Sequence, residues 1–81
     1  MNNRLTALER EHIGKVKQLP CSVCDAAGPS DAHHIRQKLQ HCVVALCRSC
    51  HDQLKGDRWM WRIKKMDELA ALNVTIRRLM E

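Results

Sequence analysis

Phenylalanine and tyrosine are absent from this 81-residue chain, tryptophan occurs only twice, and glycine and proline together supply five residues. Large aromatics each bury about 150–250 Å². Without them a chain this short lies near the lower limit for a self-sufficient core, and a staple is expected: a metal, disulfides or a partner. No apolar run approaches the roughly 20 residues of a membrane-spanning helix, so no membrane is expected as a partner. There is no internal repeat and no low-complexity segment, which leaves a single domain over residues 1–81. Acidic residues are in the minority, 9 against 14 Lys and Arg, for a formal net charge of +5. That excess fits a polyanionic partner without specifying one.

Cysteine, by contrast, is abundant. Cys21-Ser22-Val23-Cys24 and Cys47-Arg48-Ser49-Cys50 are two C-x-x-C knuckles separated by 22 residues. Each knuckle can supply one face of a tetrahedral ion, and the two together form a closed four-cysteine site whose expected occupant is structural Zn²⁺. Such a site contributes on the order of 10 kcal/mol or more to folding in small fingers. The whole net stability of an ordinary domain is roughly 5–15 kcal/mol, so the metal would decide whether the centre folds. A secreted disulfide framework fits less well. The cysteine count is odd, and Met1-Asn2-Asn3-Arg4 leads straight into an amphipathic pattern with no signal-peptide-like stretch. A redox role for one knuckle would need a thioredoxin-like βαβ pattern, which is missing. The expectation is a reduced, cytoplasmic, metal-bound protein.

Thr6-Ala7-Leu8-Glu9 has the form of a capping box. It opens a predicted helix over residues 7–18 with Leu8, His12, Val16 and Leu19 on one face, ended by Pro20. His12 reads as a partly packed face residue rather than a ligand. Turn formers fill residues 25–31. Ala32–Ile35 reads as one strand, and His41–Leu46, with Cys42-Val43-Val44, as the returning one. A short helix is expected over 51–55, stopped by Gly56. Asp57 then caps helix over most of 58–80, with an interruption near Lys65-Met66-Asp67 where Asp67 would cap a fresh start. Trp59, Ile63, Met66, Leu69 (or Ala70), Asn73, Ile76 and Met80 recur at helical spacing as an apolar stripe that Leu72 and Leu79 widen, expected to pack on the first helix or to pair with another chain. Trp59 and Trp61 read as core or interface residues rather than base-stacking platforms. The fold class is therefore α+β: a small zinc-stabilised domain with terminal helices around a strand–strand–helix centre at 21–55.

Within that centre, Cys21-x-x-Cys24, Ala32-His33-His34-Ile35 and Leu46-Cys47-x-x-Cys50-His51 together resemble the HNH endonuclease family, the ββα-metal nucleases, of a compact type frequent in phages and prophages. The likeness covers roughly residues 21–55. It implies a metal-dependent hydrolase acting on DNA phosphodiester bonds by nicking or cleavage, in a bacterial or phage-infected cell. It further implies His34 as the general base that activates water, and His33 and His51 as ligands of a catalytic Mg²⁺ or Mn²⁺. These roles suit the chemistry. An imidazole with an ordinary pKa near 6.5 is largely neutral at pH 7 and can accept a proton, and a divalent ion can neutralise charge developing on a phosphate. Neighbouring strand residues point to opposite faces, so His33 and His34 should have separate jobs.

Counting back from Leu46-Cys47, the family's base-orienting Asn falls on Cys42, with His41 beside it; these two are the candidates for that role, and Cys42 alone would read as a small buried strand residue. The helix carries Lys55 where a second histidine could stand. Asp52 and Asp57 read as caps before ligands. Arg36, Lys38, Arg58 and Arg62 are candidate phosphate contacts, the last two within a basic cluster that includes Lys64 and Lys65. So short a chain offers little surface for reading sequence, because specific protein–DNA interfaces bury about 1,000–2,500 Å². Specificity would come from a homodimer or a larger host or phage complex through the C-terminal helix. The alternative is a non-catalytic, zinc-ribbon-like nucleic-acid-binding module with a degenerate site, or an adaptor docking through that helix. A zinc deaminase, suggested by Pro20-Cys21-x-x-Cys24, fails because no upstream H-x-E exists.

Overall fold

Thr6 starts the first element as its spacing to Glu9 requires. Its hydroxyl accepts the Glu9 backbone N–H at 3.1 Å, and Glu9 Oε1 accepts the Thr6 N–H at 2.8 Å. Helix α1 follows over Ala7–Lys17. The computed structural model describes residues 5–81; the lead-in expected of residues 1–4 lies outside them. Ile13 and Val16 are the buried residues of α1. Leu8 is a correction: it is 73% exposed. The side of α1 that meets the sheet is instead the one carrying Ile13 and Val16, with Leu5 and Leu19 packed beside them.

Strands β1 (Asp31–His34) and β2 (Val43–Leu46) pair antiparallel, with His33 opposite Val44 and His34 opposite Val43. The ladder is shorter than expected because residues 36–42 turn twice on themselves: Leu39 N–H donates to Arg36 O at 3.1 Å and Cys42 N–H to Leu39 O at 3.0 Å. His41 and Cys42 therefore belong to the connection, not to the strand. All four β2 residues are buried, since both faces of the sheet are covered. Val44 and Leu46 pack with Leu54, Trp61 and Ala71 on one side; Val43 and Ala45 pack with Ile13 and Val16 on the other.

Helix α2 (Arg48–Leu54) begins inside the second knuckle, three residues earlier than expected, because the Cys47 sulfur caps it by accepting the Cys50 N–H at 3.4 Å. Gly56, at φ +68°, provides the left-handed turn out of it. Asp57 accepts the N–H groups of Trp59 and Met60 at 3.0 and 3.2 Å and opens α3 (Arg58–Ile63). The break falls where the sequence puts it. Lys65 turns left-handed at φ 57°, Met66 N–H closes onto Trp61 O at 3.2 Å, and Asp67 caps α4 (Glu68–Leu79) through the Ala70 N–H at 2.7 Å.

The expected apolar stripe is kept only in part: Met66, Leu72 and Leu79 pack against the core, and the rest turns outward. Trp59, Leu69 and Met80 are 66%, 70% and 81% exposed, and Ile63 and Ile76 also face solvent. The buried residues are Trp61 on α3 and Ala71 and Thr75 on α4. A periodicity carried through Lys65 assumes one axis, and two helices meeting at a left-handed residue do not share one. Helix α4 lies on β2 and touches α1. No helix among the described residues is long and apolar enough to cross a membrane.

Candidate metal centre and histidine cleft

Two turns build the cysteine cluster. In the first, Asp25 at φ 63° lets its N–H reach Cys21 O at 3.0 Å, while Cys21 N–H donates to Ala26 O at 2.9 Å. The second is the first turn of α2. Together they bring the sulfurs of Cys21, Cys24, Cys47 and Cys50 within 4.8 Å of one another. The Cys24–Cys47 separation is 3.7 Å. Tetrahedral zinc with Zn–S bonds of about 2.3 Å requires sulfur edges of about 3.8 Å, whereas a disulfide requires about 2.05 Å. All five cysteines are free thiols, and Cys42 stands outside the cluster. The four-sulfur set can thus hold a metal ion such as zinc. Being closed, it leaves no coordination position for a substrate.

The electrostatics agree. Burial opposes ionisation of Cys21, but the backbone N–H groups of Cys47, Cys24 and Val23 outweigh it and bring the thiol down to about 7. Burial and the neighbouring Cys47, Cys24 and Cys21 sulfurs push Cys50 far up. One thiolate is favoured there, but four side by side need a cation among them. Helix α4 braces the first knuckle. Arg78 Nη1 donates to the carbonyls of Pro20 and Cys21 at 3.3 and 3.2 Å, and Nη2 pairs with Asp25. The Thr75 hydroxyl, which donates to Ala71 O at 3.0 Å, also takes the Ser22 hydroxyl proton at 2.7 Å and the Ala45 N–H at 3.3 Å.

The three histidines singled out in the sequence meet in one cleft of about 490 Å³, between the end of β1, α2 and the start of α3. His33, only 7% exposed, lies edge-on to His51 with ring centroids 5.3 Å apart, and 6.3 Å from the Trp61 ring. Its Nε2 is 2.7 Å from Glu68 Oε2, at the first turn of α4. His51 is held by Asp31, Nδ1 to Oδ2 at 3.1 Å, and Arg48 sits on the same carboxylate oxygen at 3.4 Å. His34 Nε2 meets Gln40 Oε1 at 2.8 Å, and Gln40 Nε2 donates to Gln37 O at 3.2 Å. Because a carbonyl only accepts, that second bond fixes the Gln40 amide with its oxygen toward His34. His34 therefore donates from Nε2 and keeps its lone pair on Nδ1.

The remaining candidates separate. Arg58 lines the cleft together with Lys55, and Arg62 lines an adjoining hollow of about 340 Å³ with Met66 and Glu68. Arg36 and Lys38 are exposed on the connecting turn and do not line the cleft. His41 is not on His34; its ring lies against His12 at 4.8 Å. Cys42 spends its backbone on Ile35 and Leu39. Asp57 is a cap, and Asp52 pairs with Arg48 at 3.7 Å. Sequence reasoning missed Gln40, Asp31, Glu68 and Lys55 as members of this site. Only Gln40 left a trace, as an amide just before the positions counted back from Cys47.

Among the described residues the four cysteines are the one set of three or more ligating side chains whose donor atoms all gather within 4.8 Å. His33, His51 and the neighbouring carboxylates do not make a second such set; they offer two imidazoles, each backed by a carboxylate, on an open cleft. No family model, curated protein or solved structure matches the chain.

Proposed function

We propose that this chain is a small metal-dependent endonuclease of the HNH type, with Cys21, Cys24, Cys47 and Cys50 holding structural zinc and the histidine cleft hydrolysing DNA phosphodiester bonds. One observation carries the proposal: His33, His34 and His51 open onto a single cleft beside the four-sulfur cluster, with Lys55 and Arg58 at its rim. Gln40 does for His34 what the family's Asn does for its base. With Nε2–H committed to Gln40, Nδ1 accepts a proton from water, and the hydroxide oxygen attacks phosphorus as the bond to the leaving sugar oxygen breaks, that oxygen taking a proton from solvent. Lys55 and Arg58 hold flanking phosphates. His33 and His51 would hold a divalent ion by two imidazole nitrogens and leave its other positions to water and phosphate oxygens. When bound between His33 and His51, such an ion supplies positive charge at the reacting phosphate.

Supercoiled plasmid incubated with zinc-loaded protein and Mg²⁺ or Mn²⁺ tests this against His34→Ala. The variant is expected to nick about 10²–10⁴-fold more slowly, the usual size of general-base catalysis, with zinc content and melting temperature unchanged. Equal cutting by the two proteins would refute the assignment. A non-catalytic, zinc-ribbon-like binding module is the second reading, favoured because among the described residues no third donor atom gathers with those of both His33 and His51. It predicts DNA binding with no cleavage by either protein.

A further inference from the structure

Two neighbouring cleft histidines are each tied to a carboxylate, through different ring nitrogens and from different elements. Asp31, on β1, takes His51 by Nδ1, and Glu68, on α4 and 35 residues along the chain, takes His33 by Nε2. An ionised carboxylate only accepts, so each of these nitrogens carries the proton and the opposite nitrogen carries the lone pair. His33 Nδ1 and His51 Nε2 make no hydrogen bond, and neither is sealed from solvent, the one buried unpartnered side-chain nitrogen among the described residues being that of His12. Two free lone pairs on neighbouring rings set edge to face, each ring backed by a carboxylate, are the pattern of histidines prepared for a metal.

Glu68 is not itself a third ligand in this arrangement, because its oxygens, His33 and His51 do not gather within 4.8 Å. Its bond to His33 is half-buried, the His33 side chain being 9% exposed and that of Glu68 38%. Glu68 lies outside residues 21–55, which carry the likeness to the nucleases, so nothing in that likeness assigns it a role.

We infer that Glu68 is a positioning residue of the cleft: it locks His33 in the Nε2–H tautomer and so presents Nδ1 to a divalent cation, as Asp31 presents Nε2 of His51. This rests on the proposed function only in taking the cation to be the one used there; the tautomers and the cation affinity are properties of the chain itself. The inference also gives α4 a double attachment, to the cleft through Glu68 and to the first cysteine knuckle through Thr75 and Arg78.

Two-bond ¹⁵N–¹H correlation spectra of the zinc-loaded protein at neutral pH read the tautomers directly, and Mn²⁺ binding followed by electron paramagnetic resonance reads the affinity. The expected result is His33 protonated on Nε2 and His51 on Nδ1. Glu68→Ala should bind Mn²⁺ about 10–100-fold more weakly, as loss of a residue behind a metal-binding histidine does, and should mix the His33 tautomers. Glu68→Gln, whose amide oxygen still accepts the Nε2–H, should recover most of both and serves as the fold control. A His33 protonated on Nδ1 in the unaltered protein, or a Glu68→Ala protein with unchanged Mn²⁺ affinity, overturns the inference. The two proposals fail separately. Absence of nicking with the expected tautomers and affinities leaves this inference standing, whereas nicking with no effect of Glu68→Ala on Mn²⁺ binding removes it and spares the nuclease.

Discussion

The cysteine cluster and the histidine cleft share one helix, α2, through the adjacent residues Cys50 and His51, and are built by opposite means. The cluster is assembled by backbone. Two tight turns aim four sulfurs inward, and N–H groups of the knuckles point at them before any ion arrives. The cleft is assembled by side chains, with Asp31, Glu68 and Gln40 each holding one imidazole from outside. The first arrangement converges and closes; the second leaves one ring nitrogen per histidine free and stays open. A closed all-sulfur site suits an ion that never leaves, and an open site suits one that is shared with water and phosphate.

The largest expected effect breaks the first half of that comparison. Stripping the metal with a strong chelator removes on the order of 10 kcal/mol, which is the scale of a whole domain's stability. Far-ultraviolet circular dichroism should show loss of α2 and collapse of the melting transition, with about one zinc per chain released into a colourimetric chelator. The core makes this outcome severe, since Cys21 and Cys50 are themselves buried beside Leu46 and Leu54. The converse test is His51→Ala, which should leave zinc at one per chain. Zinc lost from that variant would mean that the two sites share a ligand, and the comparison would fail.

A smaller effect sharpens the link between the regions. Thr75 is fully buried, and its hydroxyl joins Ser22 of the first knuckle to Ala45 of β2. Thr75→Val keeps the shape but leaves a buried hydroxyl and a buried N–H without partners. The expected cost is about 1–3 kcal/mol, read by urea denaturation of the zinc-loaded protein. If α4 braces the knuckle rather than merely covering it, zinc dissociation should accelerate in the same variant.

What could be foreseen from sequence was local. The capping box, both knuckles, the Asp57 and Asp67 caps and the break between them depend on residues a few positions apart, and all are present as expected. What could not be foreseen was long-range or set by axis direction. Glu68 reaches His33 only because α4 folds back across the cleft. Leu69 and Met80 face outward while Leu72 and Leu79 pack inward, because the left-handed Lys65 gives α4 an axis of its own. The side chain that meets His34 is Gln40 rather than His41 or Cys42 because residues 36–42 coil instead of extending, and a count from a motif assumes the strand continues.

The smallest effect concerns the histidines on the other face of the sheet, where among the described residues no carboxylate bonds either ring. His12 lies against His41, and its Nε2 is buried without a partner. Burial first, then the charge of His41, with Lys15 adding to it, lower the His12 pKa below its usual 6.5, against an opposing pull from the His41 backbone. Because the folded value lies below the unfolded one, the unfolded chain binds more protons in that interval. Its contribution to stability is complete above about pH 6.5 and is lost as pH falls through the folded value. Denaturation midpoints should therefore drop on acidification by no more than one proton's worth of slope, and His12→Gln should flatten the difference from the unaltered protein, zinc release by acid being common to both. An unchanged slope in His12→Gln would show that His12 protonates as freely folded as unfolded. The contrast between carboxylate-backed rings in the cleft and the unbacked pair across the sheet would then be a matter of geometry alone.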